Sequence, residues 1–471
     1  MRASSALQTW RRVVAATIAT LVCGACAHTL PERAMSVVSA EGRLVPLDSA
    51  TVSYDVDGIR VIQRANYANE AVAVNLYLLG GTRQLTAADQ GIEPLLLYAG
   101  EYGTRKYPGD AWGNAWGLTG SRIVIDSDVD WTVFGFRGIQ QEFDASWDAF
   151  ADRVVHPAFT GKSLAVVAAR LRAAVRAGND DPGASAMTLA DSIVFAGQPY
   201  GLRPNGTEAS LASLDSASVM QYATTQLVKS RMLLVVVGDI SRERVTAAVM
   251  RSLASLPAGS YKWTLPPPAP DFPSTVNLAW RVIPTNYVVG MFRGPDADSP
   301  ESPAFRVALA LLASNMSSAI RERRGLSYTA TAEYIERGAT SGMIYVSSAE
   351  PRAVLPLISR SIETVRRLPP YTGLDLHSFT DSFIVEYFSE NSTDAAQADF
   401  LARAQLYQGD FRKASDAMEN LRHVSEDNVR DVATKYFRDI HFVYMGDTTQ
   451  VLRADFDSLS AASSRGATVR R

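Results

Sequence analysis

Cysteine is almost absent from this sequence. Only two of the 471 residues are cysteines, Cys23 and Cys26, and both lie near the N-terminus. The rest of the chain therefore forms no disulfide, offers no thiolate nucleophile and supplies no cysteine ligand to a metal. Any chemistry of the folded part has to come from other side chains.

Histidine is also scarce, and its spacing excludes the common zinc motifs. Two histidines at i and i+4 can face one metal ion from a single helix. The chain has five histidines, and no two of them lie three or four positions apart: His28, His156, His377, His423 and His441. A zinc ion needs three protein ligands, so the first half of the chain, which contains only His156 beyond the N-terminal segment, cannot build such a site.

Several other kinds of site are missing as well. The net charge of -3 and the lack of a basic run argue against nucleic-acid binding. No Gly-x-Ser-x-Gly nucleophile motif and no glycine-rich phosphate loop occurs. The run Asp126–Asp130 resembles the start of a calcium loop, but Trp131 and Arg137 occupy the positions that require glycine and glutamate. We therefore predict a hairpin turn there.

A targeting segment opens the chain. Met1–Ala25 combines three arginines with an apolar run, Val13–Val22, that is too short to span a bilayer. We expect export to the bacterial periplasm and a mature net charge of -6, because cleavage removes the three arginines. Cys26 fits the lipid-modified residue of a bacterial lipoprotein, which would anchor the chain at the outer membrane, whereas cleavage after Ala27 is the alternative. No later apolar run reaches the length of a membrane helix.

The remaining length predicts two domains. A chain of this size is too long for one ordinary core, and Leu265–Pro273, with three consecutive prolines, is typical of a semi-rigid linker. The predicted segments are a signal peptide at 1–26, a tether at 27–50, a first domain at 51–262, a linker at 263–275, a second domain at 276–455 and a tail at 456–471.

An internal repeat indicates that the two domains share one fold. The run LDSASVMQYAT begins at Leu214, and VSEDNVRDVAT begins 210 positions later at Val424. Each run leads into an apolar strand that ends in Gly-Asp, which argues for duplication of a unit of about 200 residues. We predict an α+β fold in which each domain is an antiparallel sheet with helices packed on one face.

One corner of the second domain carries a possible site. The apolar periodicity predicts a helix over Ser302–Glu322 that Gly325 ends, followed by a strand over Leu326–Tyr334. Arg321 and Tyr328 would then point to one spot, where both could donate hydrogen bonds to a peptide carbonyl. The alternative is that Arg321 is a solvated charge at a helix end and Tyr328 a half-buried strand residue.

The run R-E-R-R-G-L-S-Y over Arg321–Tyr328 resembles the second-domain signature of the pitrilysin/insulinase family, which includes mitochondrial processing peptidase. The resemblance implies a fold of two homologous domains closing like a clam. It also implies that Arg321 and Tyr328 match the arginine and tyrosine that contact substrate near the scissile bond.

The zinc motif of that family is not present. Active members carry His-x-x-Glu-His on the first long helix and a distant glutamate as third ligand, but this chain has Pro94, Leu97 and Tyr98 at the motif positions. No glutamate occurs between Glu142 and Glu208, where the third ligand would fall. We therefore expect no catalytic residue, metal or cofactor in this chain.

Four further residues near the lost motif also need interpretation. Glu93 and Glu101 flank it, and we interpret them as solvated charges at helix ends rather than as a carboxylate site for a hard metal ion. Asn114 with Ala115 resembles the Asn-Ala pair on the family's edge strand, where a substrate adds as an extra strand.

The resemblance leads to a functional hypothesis with two alternatives. The leading hypothesis is a non-catalytic subunit of an envelope peptidase heterodimer, which lends its cleft for unfolded peptides to a zinc-bearing homologue. A scaffold of the same fold with no role in proteolysis is the first alternative. An autonomous hydrolase with an unrecognised set of residues is the second. None of these three hypotheses involves a nucleic acid. The chain would contact a membrane only through its N-terminal lipid.

Overall fold

The computed structural model describes residues 36–38, 44–46, 50–368, 376–390 and 392–464. The predicted signal peptide and the lipidation candidate Cys26 lie outside the described residues. Two short strands, β1 (Ser36–Val38) and β2 (Leu44–Pro46), pair antiparallel within the predicted tether.

A six-stranded sheet forms the centre of the first half. Its strands are β3 (Thr51–Val56), β4 (Ile59–Arg64), β5 (Ala71–Leu79), β6 (Arg122–Ser127), β7 (Trp131–Ile139) and β8 (Met232–Gly238). Their order across the sheet is β3-β4-β8-β5-β7-β6. All pairs are antiparallel except β4 with β8, so the sheet is mixed.

Helices of the first half, with the exception of α5, cover one face of this sheet with a single apolar core. The helices are α1 (Ile92–Ala99), α2 (Asp110–Leu118), α3 (Phe143–Val155), α4 (Gly161–Asp180), α5 (Pro182–Val194), α6 (Glu208–Ser213), α7 (Ser216–Gln226) and α8 (Arg242–Arg251). The core between α3 and the sheet is aromatic, with Trp147, Phe150 and Phe134 fully buried. Burial of such large rings stabilises this half.

The second half repeats the plan with five strands. They are β9 (Val276–Trp280), β10 (Asn286–Arg293), β11 (Ala330–Ile335), β12 (Ser341–Ser348) and β13 (His441–Gly446), in the order β9-β13-β10-β12-β11. This order matches β4-β8-β5-β7-β6 strand for strand, and β9 with β13 is again the parallel pair. The outermost strand of the first sheet, β3, has no counterpart among the described strands of the second.

The helices of the second half complete the repeat. They are α9 (Ser302–Met316), continued by a π-helical segment (Ser317–Glu322), then α10 (Pro351–Arg367), α11 (Leu376–Glu390), α12 (Asp394–Gln408), α13 (Lys413–Arg422), α14 (Glu426–Tyr436) and α15 (Arg453–Ser464). Phe456 and Leu459 of α15 are buried in the second core although they fall in the predicted tail. The stretch Ser302–Glu322 is long and apolar enough to cross a membrane, contrary to our expectation from the sequence, but its apolar residues pack in the same core.

The repeat detected in the sequence corresponds to equivalent capped helices. Asp215 caps α7 and bonds with Ser218, and Ser425 caps α14 and bonds with Asn428. Both pairs form a capping box, in which each side chain accepts or donates a bond to the other residue's backbone. The caps lie 210 positions apart, so the similarity of the two runs reflects the same local structure.

The two halves exchange one helix each. Helix α5 of the first half packs on β10 and β13, and α12 of the second half packs on β5 and β8. Both sheets are therefore covered on both faces, by their own helices on one side and by a single helix of the other half on the second. The predicted α+β class is confirmed, and this exchange is added to it.

A buried carboxylate ties the halves together. Asp130 is fully buried and accepts hydrogen bonds from Tyr200 (2.6 Å), from Tyr407 (2.9 Å) and from the backbone N–H of Gly338 (2.7 Å). Arg83 lies 3.4 Å from the same carboxylate. The predicted turn between β6 and β7 is present but shorter, at 128–130, because Asp126 and Ser127 continue β6. Its last residue, Asp130, joins the two halves.

Candidate functional site

Helix α1 carries the residues that the resemblance aligns with the zinc motif, and its side chains fit no metal. Seven of its eight residues are buried, including Pro94 and Leu97. The carbonyl oxygen of Leu97 accepts two bonds from the guanidinium of Arg153, one of them at 3.0 Å. Burial lowers the pKa of Arg153 to about 10, so this group remains a cation at neutral pH beside the lost motif.

A second arginine faces the position of the second motif histidine. The guanidinium carbon of Arg170, on α4, lies 5.0 Å from the ring centroid of Tyr98, and its Nη1 lies 2.6 Å from Glu101. Helix α4 packs against α1 and falls in the span where the family's third ligand would lie. A guanidinium there repels a metal cation, so the residues present do not fit zinc.

The interpretation of Glu93 as a solvated charge is wrong. Its side chain is buried and lies 2.8 Å from Nη2 of Arg231, which is also buried. The same carboxylate accepts a hydrogen bond from Tyr222 (2.6 Å) and a further one from Thr132. Buried charges occur in this way, paired and hydrogen-bonded, because an isolated charge would be too costly to desolvate.

These contacts make Glu93 a structural residue. Burial, followed by the neighbouring Glu93 carboxylate, raises the pKa of Tyr222 well above its usual value. Tyr222 therefore stays protonated and serves as a permanent donor to the carboxylate. Glu101 differs, because it is partly exposed and pairs with Arg170. Within the described ranges, no group of three or more His, Cys, Asp or Glu side chains could hold a metal ion.

The interpretation of Asn114 and Ala115 as part of an edge strand is also wrong. Both residues lie in helix α2, where Trp112 and Trp116 stack with their ring centroids 5.4 Å apart. Side chains four positions apart share one face of a helix, which is the signal that the sequence interpretation missed. The edge of the first sheet is formed by β6 instead.

The predicted corner in the second half is present and sharply formed. The backbone N–H of Gly325 donates to the carbonyl of Arg321 (2.9 Å), and that of Leu326 donates to the carbonyl of Ile320 (3.0 Å). Gly325 has a φ of 63°, which glycine adopts without strain at a helix end. The helix ends as predicted, but its last six residues, Ser317–Glu322, are π-helical, a form that is frequent at functional sites.

A short turn then displays Tyr328. The hydroxyl of Ser327 donates to the carbonyl of Thr329 (2.6 Å), and Ser348 donates to the carbonyl of Leu326 (2.6 Å). These bonds delay the strand, which begins at Ala330 rather than at the predicted Leu326. They also leave Tyr328 82% exposed, so it is not the half-buried residue of the alternative interpretation.

The structure brings Arg321 and Tyr328 together. The guanidinium carbon of Arg321 lies 5.3 Å from the ring centroid of Tyr328, and both side chains are exposed. Stacking on an aromatic ring leaves the N–H groups at the edge of the guanidinium free to donate. The phenol and the guanidinium can therefore both donate to one acceptor from outside.

An open cleft runs beside strand β11. Its volume is about 870 Å³, and among the described strands β11 pairs with β12 alone. The cleft lies between α9 and the two helices α11 and α12, and the following residues of β11 line it: Thr331, Ala332, Glu333 and Tyr334. A free strand edge in an open cleft can bond the main chain of an extended peptide.

Comparison with known proteins gives one family and one curated relative. Residues 213–369 match the family model described as the peptidase M16 inactive domain. The chain is similar to the uncharacterized zinc protease YmxG of Bacillus subtilis, with 21% identity over 185 residues, which make up 39% of this chain and 45% of that protein. The similarity thus spans less than half of that relative.

Solved structures show the same fold over most of the chain. A peptidase M16 inactive domain from Pseudomonas fluorescens has a TM-score of 0.76 at 18% identity, over 84% of this chain and 98% of that one. The first half of the periplasmic protease PqqL from Escherichia coli has a TM-score of 0.70 at 15% identity, over 91% of this chain and 98% of that one. At such identities the similarity shows the fold alone.

Proposed function

This chain is a non-catalytic homologue of the pitrilysin/insulinase peptidases, M16, and we propose that it acts as the peptide-binding subunit of a heterodimer with a zinc-bearing homologue. The partner would supply the metal and the general base. This chain would supply the wall of the cleft together with Arg321 and Tyr328.

The observation that carries the proposal is the contrast between the two sites. The place of the zinc motif is filled by buried apolar residues and by Arg153 and Arg170, so peptide cleavage needs a metal from elsewhere. The side chains of Arg321 and Tyr328, in contrast, are exposed and adjacent, with the guanidinium carbon 5.3 Å from the ring centroid. Two donors held together at the surface are suited to bind a carbonyl oxygen of a peptide presented by a partner.

The cleft beside β11 supports peptide binding by this chain. Its free strand edge lies within two residues of Tyr328, so a peptide that adds to β11 can continue past the Arg321–Tyr328 pair. Binding through the main chain makes the site tolerant of sequence, which is consistent with unfolded peptides as ligands.

We also propose that the heterodimer works in the bacterial envelope. The support is the predicted signal peptide with Cys26 and the similarity in fold to a half of a periplasmic protease. Lipidation of Cys26 would hold the complex at the outer membrane.

The test is co-purification of the full chain from its native host, followed by mass spectrometry and metal analysis of the separated subunits. We expect a homologue of similar size that contains zinc, while this chain contains none. Recovery of the chain only as a monomer would contradict the heterodimer.

Substitution at the corner separates peptide binding from a scaffold role. Arg321→Ala and Tyr328→Ala should each lower peptide turnover by the assembled pair about 10- to 100-fold, because a donor to the substrate is lost. Arg360→Ala and Tyr67→Ala are matched controls, since both residues are exposed and neither belongs to the Arg321–Tyr328 run. Unchanged turnover in the corner variants of an intact pair would favour a scaffold without a role in proteolysis.

A further inference from the structure

Three exposed arginines surround the end of the π-helical segment. Arg321, Arg323 and Arg324 lie within four positions of each other, and all are exposed. In the part of the chain that the structure describes, no ion pair joins any of them to a carboxylate. Cations at a helix C-terminus are favourable for the helix dipole. The run Arg321–Arg324 also contains the exposed Glu322, so three arginines and one glutamate give it a net charge of +2 and a positive surface.

The cleft beside β11 has the opposite charge at its other end. Its two arginines are engaged, because Arg306 lies 2.6 Å from the Glu336 carboxylate and Arg403 donates to the Glu336 carbonyl at 2.9 Å. The exposed carboxylates Glu333 and Glu386 line the same cleft. The three arginines are not among the residues that line the cleft; they precede β11 in the chain, whereas Glu333 lies within it. A peptide bound along β11 and past Tyr328 would therefore run from a negative region at Glu333 and Glu386 toward a positive region at the arginines.

The chain sets the distance between these two regions. Glu333 lies five positions after Tyr328, and an extended chain advances about 3.3 Å per residue, so Glu333 lies at most roughly 17 Å along the chain from the tyrosine that is stacked on Arg321. A peptide that satisfies both ends needs opposite charges about five or six residues apart. Charges at this spacing, unlike main-chain bonds, select among peptides.

Resting on the proposed peptide-binding function, we propose that Arg323 and Arg324 select peptides that carry a carboxylate at this end of the groove, with a cationic group five or six residues away beside Glu333 and Glu386. The carboxylate is either an acidic side chain or the C-terminus of the peptide. Planar guanidinium groups bind carboxylates through two parallel hydrogen bonds, which lysine cannot do. Arg321, stacked on Tyr328, remains with the carbonyl-binding pair.

The test measures binding of labelled ten-residue peptides to the purified full chain by fluorescence anisotropy at low and at high salt. The set contains a peptide with a lysine and a glutamate six positions apart, the same peptide with the two charges exchanged, a neutral peptide, and amidated and free C-terminal forms of each. We expect the first peptide to bind about tenfold more tightly than the neutral one, with the difference lost at high salt. If the preference for the acidic peptide persists after its C-terminus is amidated, the arginines bind the side-chain carboxylate. If amidation abolishes the preference, they bind the C-terminal carboxylate.

Charge reversal assigns the effect to the residues. Arg323→Glu combined with Arg324→Glu should weaken binding of the acidic peptide about tenfold, leave the neutral peptide unchanged and favour a peptide with lysine at that position. Arg360→Glu is the control for net charge. Equal binding of all peptides, or the same charge preference in the double variant, overturns this inference while peptide binding itself stands. If no peptide binds the wild-type chain, peptide binding and this inference both fail.

Discussion

Helix α1 of the first half and helix α9 of the second stand at equivalent places in the repeat, yet their surroundings are opposite. Each is the first α-helix after the central strand of its sheet, β5 or β10. Around α1 the charges are buried and paired, as Glu93 is with Arg231. At the end of α9 the arginines and Tyr328 are exposed.

The surroundings of α1 and α9 show that equivalent positions of the repeat have taken different roles in the two halves. The first has been absorbed into the core, where the Glu93 carboxylate has Arg231, Tyr222 and Thr132 as partners. The second keeps exposed side chains, among which Arg321 and Tyr328 contact each other. Residues whose contacts are complete within the chain contribute to stability, whereas exposed donors are available to a ligand.

Rebuilding the zinc motif in the first half should cause the largest loss of stability. The combined change Pro94→His, Leu97→Glu and Tyr98→His places a carboxylate where Leu97 is buried, beside the cations of Arg153 and Arg170 but without a third ligand. We expect a loss of stability of about 5 kcal/mol or more and no zinc uptake. Denaturation midpoints and metal analysis provide the measurement, and stoichiometric zinc in the purified variant would refute our description of this region.

Removal of the buried carboxylate should come next in size. Glu93→Ala leaves Arg231 buried without its partner, and the expected loss is about 3–5 kcal/mol. Glu101→Ala, which removes a partly exposed ion pair, is the matched control and should cost about 0–1 kcal/mol. Chemical denaturation of both variants measures the difference. Equal stability of the two would mean that the Glu93 network contributes little.

A pH effect is expected from the second half. Burial lowers the pKa of His441, and the hydrogen bond with the carbonyl of Pro273 opposes this shift in part. The unfolded chain therefore binds a proton more readily than the folded one, so this contribution to stability is complete above about pH 6.5 and decreases as the pH falls toward the folded pKa. We expect the denaturation midpoint of the wild type to fall more steeply than that of His441→Gln as the pH falls below 6.5 toward 5. Between pH 6.5 and 8 the two midpoints should change in parallel. Identical pH profiles over the whole range would show that His441 does not contribute.

Local signals in the sequence were enough to place most of the fold. The repeated runs at Leu214 and Val424 predicted two similar domains, and the two sheets have matching strand orders. The corner at Gly325 was also predicted, because a glycine after two arginines is a local mark of a helix end. Helix α2 was missed because its two glycines disguise the four-residue spacing of Trp112 and Trp116.

The partners of the buried charges could not be predicted. Glu93 pairs with Arg231, which lies 138 positions away, and nothing near either residue marks the other. The same holds for the packing of α5 and α12 on the opposite sheets, because an apolar helix face does not identify which sheet it covers. The repeat indicated two similar halves but not that they exchange helices.

The smallest effect on stability is expected from a substitution at the corner of the second half. Tyr328 is 82% exposed, so Tyr328→Ala should change the free energy of unfolding by no more than about 0.5 kcal/mol, although it is expected to impair peptide turnover by the assembled pair. Trp112→Ala, which removes a buried aromatic residue of the first half, is the contrasting variant and should cost about 3–5 kcal/mol. A large loss of stability in Tyr328→Ala would mean that the tyrosine is retained for packing, and the corner would then be another absorbed position rather than a binding site.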